Sequence, residues 1–236
     1  MSQLSQPLLP ASFLFRYSVP CRYLPDGAEL GESYRLPNFT PLDGGPEGPE
    51  VRAGWNESGL SLRLQMTGKR HLPWCRENRI EESDGLHVWI DTRDTHNIHR
   101  AGRFCHYFVF LPTGGGRRLD EPVADQLLIN RARENARPVH PGTFRAKSEK
   151  RHDGYLLEAR IPADALTGFD PVEHPRLGFT YCITDRELGL RTFNCGPEFP
   201  FRDDPSLWAT LELVKSNDVD SRSIRTRSAR PKRIVH

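Results

Sequence analysis

The chain alternates between apolar and polar residues in short runs. In "LSLRLQM", residues 60–66, Leu60, Leu62, Leu64 and Met66 share one parity, while Ser61, Arg63 and Gln65 share the other. A period of two sends successive side chains to opposite faces of a strand. The run "VRAGW" at 51–55 precedes it, and "NESG" at 56–59 has turn chemistry, so the two runs predict a hairpin. Further strands are predicted over 85–91, 103–111, 154–162, 176–184 and 207–214. Tyr155, Leu157, Ala159 and Ile161 form one face of the run that Pro162 ends, and Leu177, Phe179, Tyr181 and Ile183 form one face of the next. The strand over 85–91 is different. Leu86, Val88 and Ile90 make a greasy face, but His87, Trp89 and Asp91 put a ring, a large aromatic and a carboxylate on the other.

Helix signals are sparse. The stretch "DEPVADQLLINRAREN", 120–135, predicts one helix capped by Asp120, and "PADAL", 162–166, a single helical turn opened by proline. Many strands with Pro- and Gly-rich connections predict an all-β fold. The specific expectation is an antiparallel two-sheet β-sandwich, jelly-roll-like, with one or two short helices. The domain is expected over 10–215, followed by a basic tail over 216–236.

Composition narrows the function classes. The chain has 236 residues, 36% hydrophobic and 27% charged, enough for one sizeable core. It holds no apolar run of about 18 residues, so no membrane span is expected. The first 20 residues lack a basic region followed by a continuous apolar one, so no signal peptide is read and a cytoplasmic location is expected. Cys21, Cys75, Cys105, Cys182 and Cys195 are odd in number and widely spaced, which fits reduced thiols better than a disulfide framework. Six basic residues lie within 221–236, which contains no acid. Without them, 27 basic residues face 31 acidic ones, so the body is acidic. That argues against dedicated nucleic-acid binding outside the tail.

Four groups of residues could carry chemistry. Trp74 in one polar loop, and Phe199 and Phe201 in another, are flat rings of the kind on which sugar C–H faces stack, although loop rings also plug onto cores. His96, His99, Cys105 and His106 are zinc-ligand types. Cys105 and His106 are adjacent on a strand and point to opposite faces, so ordinary hydrogen-bonding histidines and a buried thiol are the favoured reading. Glu81, Glu82, Asp84, Asp91 and Asp94 are dense but show no paired spacing for hydrolysis or calcium, and read as solvated loop acids. The "PTGGGRR" at 112–118 lacks the residues of a phosphate loop and reads as a hairpin end. No catalytic pair is legible, so an enzyme is not expected.

The ordered set "VRAGWNESGLSLRLQMTGK", "PW…SDGLHVWID", "GYLLEARIPADAL…RLGFTYCITDRE" and "FRDDPSLWATLELV" resembles the family 9 carbohydrate-binding modules, of the DOMON-like superfamily, over roughly residues 17–214. The resemblance implies a non-catalytic module that clamps a terminal sugar between two rings. On this sequence the rings fall at Trp74 and at Phe201, where the family has a second tryptophan. His87 stands where the family pattern has a strand glutamate. Trp89 on the same strand, with Arg103 and His106, completes the implied ligand contacts. The implied partner is the end of an oligo- or polysaccharide, with no organic cofactor and with room for a structural calcium. Two alternatives stay open: a structural or protein-interaction β-sandwich with no sugar site, and a metal- or haem-binding module using Met66 and a histidine.

Overall fold

The computed structural model describes residues 17–38, 48–140 and 142–215. The predicted domain start at residue 10, much of the 40–50 loop and the tail over 216–236 lie outside them. The described residues form eleven strands. They are β1 (Ser18–Tyr23), β2 (Glu50–Asn56), β3 (Gly59–Met66), β4 (Gly85–Asp91), β5 (Cys105–Gly115), β6 (Glu121–Leu127), β7 (Arg145–Arg151), β8 (Gly154–Pro162), β9 (Arg176–Thr184), β10 (Arg191–Thr192) and β11 (Ala209–Val214). Among the described residues no helix is long and apolar enough to cross a membrane.

The all-β expectation stands. The strands join in one hydrogen-bonded path, β6-β5-β4-β9-β11-β1-β2-β3-β8-β7, with β10 attached to β9. Neighbours along it are antiparallel except around β1, which runs parallel to β11 over five residue pairs and to β2 over two. The path has two halves joined through that short β1–β2 contact, and its end strands, β6 and β7, lie close together, so the sheet nearly closes on itself. Both halves feed one large core. Leu86, Val88, Ile90, Phe108, Phe179 and Leu211 come from one half, and Val51, Leu62, Leu64, Leu157 and Ile161 from the other. Met66 is sealed in this core at 1% exposure, packed among apolar side chains.

The predicted hairpin forms with Trp55 opposite Leu60 and Asn56 opposite Gly59. The predicted helix over 120–135 does not form. Residues 121–127 are strand β6, paired with β5 from Tyr107↔Leu127 to Leu111↔Val123. Val123 and Leu127 are four apart, a spacing that suits a helix face and also one face of a strand. The open edge of β5 decides between them, because its backbone groups need partners. The single turn after Pro162 is present as a 3-10 helix, Ala163–Ala165. Two strands gave no apolar signal. β7, "RAKSEKR", is an edge strand paired with β8, and its polar sequence suits an exposed edge. β1 is short and contains Pro20.

Candidate functional site

The mixed face of β4 looks at a second, smaller core. Trp89, Tyr107, Val109, Leu111 and Cys182 rise from β4, β5 and β9, and Cys75, Ile129, Cys195, Phe201 and Trp208 close over them from loops. Trp89 stacks on Tyr107 with centroids 4.4 Å apart and 10° between planes. Phe201 meets Trp89 edge-on at 5.6 Å. His87 Nδ1 is hydrogen-bonded to the Tyr107 hydroxyl at 2.9 Å. Burial takes the His87 pKa down to about 3, helped by the charge of Arg202, so the imidazole is neutral. Its Nε2 makes no hydrogen bond of normal geometry, although the Ser83 backbone slightly favours a proton on the ring.

Trp74 stands at the edge of this covered face. Of the four tryptophans, Trp55, Trp89 and Trp208 are at most 3% exposed, and Trp74 is half-buried. The guanidinium of Arg186 lies over its ring, with Cζ 3.4 Å from the centroid. Those of Arg79 and Arg76 follow at 5.6 and 5.8 Å. The underlying anchor is one carboxylate. Asp84 Oδ2 accepts the Trp74 backbone N–H at 3.0 Å, and Oδ1 accepts the Arg186 backbone N–H at 2.9 Å. Asp84 is itself buried, at 1% exposure, and its charge is met by Lys69, whose Nζ lies 3.4 Å from Asp84 Oδ2 and 2.5 Å from Asp185 Oδ2. Asp185 Oδ1 accepts the backbone N–H groups of Glu187 and Leu188, and the Glu187 carboxylate accepts those of Arg70 and His71. The two loops that flank the ring are thus tied through a buried ion cluster.

The end of β5 seats the same loop. Gly114 has φ +108°, and a Cβ there would meet the Cys75 Cβ at 3.0 Å and its carbonyl carbon at 3.2 Å. The first glycine of the run at 114–116 therefore serves close packing against the residue after Trp74. Gly114→Val is expected to weaken the fold by about 1–3 kcal/mol through overpacking and the positive φ. Thermal unfolding checks it, and an unchanged melting temperature contradicts this seating.

Of the expected site residues, His87, Trp89 and Phe201 come together in the small core, while Trp74, His106 and Arg103 lie elsewhere. Trp74 is at the surface. Phe201 is not the part-exposed second ring that the resemblance implied: it is 2% exposed, its ring lies against Trp89, and its carbonyl accepts Trp208 Nε1–H at 2.7 Å. A phenyl ring with no polar atom is driven into the small core, whereas Trp74 is held outward by its backbone anchor. His87 and Trp89 are 0% exposed beneath the loops, so neither reaches the surface. His106 has the opposite parity. It is 1% exposed beside Phe108 in the main core, and burial takes its pKa down to about 4. Arg103 is exposed and lies over Phe104, 4.9 Å from its centroid. The Phe201 loop and the Trp74 loop do close over the same sheet face, through Cys75 and Phe201, but the Phe201 ring is buried there. Phe201→Leu is expected to cost about 1–2 kcal/mol of stability and to leave ligand affinity unchanged. A selective loss of affinity with an unchanged melting temperature contradicts that placement.

The other clusters resolve into local structure. His96 Nε2 approaches Asp94 Oδ1 at 2.9 Å, and His99 Nδ1 approaches Asp204 Oδ2 at 3.1 Å. Cys105 faces the small core and His106 the large one, as adjacent strand residues must. Among the described residues no group of three His, Cys, Asp or Glu side chains is placed to hold a metal. Asp91 is a buried loop cap, accepting the N–H groups of Arg93 and Thr95, so it is not a solvated acid. Asp84 too is a buried anchor.

The chain is a strand-rich sheet nearly closed on itself, with loops folded over one face. No protein-family model matches the sequence, and no curated protein matches it. The fold matches two structures of a family 9 carbohydrate-binding module from Caldicellulosiruptor kristjanssonii. The one in complex with cellotriose has a TM-score of 0.55 and 13% identity, covering 92% of this chain and 100% of that one. The one in complex with glucose has a TM-score of 0.56 and 14% identity, covering 86% and 98%. This chain therefore has the family 9 module fold.

Proposed function

We propose that this chain is a non-catalytic carbohydrate-binding module that holds the end of a glycan against Trp74. The observation that carries the reading is the anchored, half-buried Trp74 at the rim of a sheet face whose own rings, Trp89 and Tyr107, are buried. Pyranose C–H faces stack on such a ring, while neighbouring arginines donate to ring hydroxyls. The ligands of the two matched structures, cellotriose and glucose, support it. With Phe201 inside, the sugar meets one aromatic platform and a polar rim, not two rings. Affinity is accordingly modest, since desolvation of hydroxyls offsets much of the stacking.

Trp74→Ala is expected to weaken glycan binding by about 1–3 kcal/mol, the scale of one lost aromatic anchor, with little loss of stability. Calorimetric titration with a panel of mono- and oligosaccharides measures the first, and thermal unfolding the second. Equal affinity in mutant and wild type removes Trp74 from the site.

A further inference from the structure

We infer that the glycan is anionic, carrying a carboxylate or sulfate group, and that Arg186 selects it. The inference rests on the reading of Trp74 as the binding surface. With Arg186 Cζ 3.4 Å from the ring centroid, one face of Trp74 is already in contact with a guanidinium. A neutral sugar stacking there meets a fixed positive charge where a bare ring would serve it better. An arginine held on an indole keeps its in-plane N–H groups free for a planar or tetrahedral oxyanion, which is the strong, bidentate form of recognition.

The pattern of pairing around the ring points the same way. Arg79 is bound to Glu82, Arg76 donates Nη1–H to the Cys75 carbonyl, and Lys69 is neutralised by Asp84 and Asp185. The Glu187 carboxylate, next in sequence to Arg186, is taken by the backbone N–H groups of Arg70 and His71. Among the described residues Arg186 is exposed and makes no ion pair. Among the described residues Arg186 thus puts a charge with no ion pair directly on the tryptophan, and Arg76, which meets a carbonyl and no carboxylate, adds to it at 5.8 Å. Arg186 is also held in place, because Asp84 binds its backbone through one oxygen and that of Trp74 through the other. Such preorganisation lowers the entropic cost of capturing a ligand.

The test is calorimetric titration of the full chain with glucuronate, galacturonate, glucose 6-sulfate, glucose, galactose and inorganic sulfate. Wild type is compared with Arg186→Gln and Trp74→Ala at low and high salt. At least one anionic sugar is expected to bind about tenfold tighter than its neutral counterpart, a margin that salt erodes. Arg186→Gln is expected to abolish that margin, lowering affinity for the anionic sugar about tenfold more than for its neutral counterpart, with the melting temperature unchanged. Trp74→Ala weakens every sugar. A preference for uronates or for the sulfated sugar identifies which anion is read. Neutral and anionic sugars binding equally overturns the anionic assignment and leaves the Trp74 site standing. Inorganic sulfate binding as tightly as the best sugar overturns it as a simple anion site. No binding by any sugar overturns the underlying carbohydrate reading itself.

Discussion

Lys69→Met is expected to destabilise the fold by about 3–5 kcal/mol, because it leaves Asp84 and Asp185 buried without their counter-charge. Methionine fills much of the same space, so the loss isolates the charge. The Lys69 side chain is 2% exposed and those of Asp84 and Asp185 are 1% and 0%, and water therefore does little to replace the missing ammonium. For a domain of this size the change lowers the melting temperature by about 10 °C. It also loosens Trp74, because Asp84 holds that loop. Urea or thermal unfolding measures it. A melting temperature within a degree or two of wild type shows that the cluster does not clamp these loops.

Acid is the second large effect. His87 and His106 are buried neutral, with pKa values taken down to about 3 and about 4. The unfolded chain protonates both near pH 6.5, while the folded chain resists until those lower values. Their contribution is therefore fully present above about pH 6.5 and lost as pH falls toward 4 and then 3. Burial raises the Asp91 carboxyl and acts in the opposite direction, but it is one group against two. Urea midpoints are expected to fall steadily from pH 7 to pH 4.5, and His106→Phe to remove part of that slope. A midpoint that stays flat over this range contradicts the burial of neutral imidazoles.

The strands that carry the core were legible because their faces differ. The runs at 85–91, 154–162 and 176–184 appear with the same bounds in the structure. β7 was not legible, since an edge strand with seven mostly charged residues has no apolar face to read. β6 was misread as helix because the spacing of Val123 and Leu127 suits both. The site was legible only in part. Trp74 stands out in the sequence because a tryptophan in a polar loop has no obvious burial, and the structure leaves it half-buried. Phe201 looked the same in sequence, and only the pocket beneath it, made by Trp89 and Trp208, decides that it turns inward. The Lys69–Asp185 pair spans 116 residues and leaves no local trace. Arg186 was invisible for the same reason: its place on Trp74 is set by Asp84, 102 residues away. The mixed face of β4, which suggested a polar ligand surface, is instead the floor of a small covered core. Trp74, the candidate ligand ring, stands at its rim.

The measurement that bears most directly on this account is intrinsic tryptophan fluorescence titrated with neutral and anionic sugars, wild type beside Trp74→Ala. Trp55, Trp89 and Trp208 are buried, so a surface ligand reports through Trp74. The account predicts a saturable change in wild type that the mutant lacks. A change that survives in Trp74→Ala, or no change with any sugar, contradicts it.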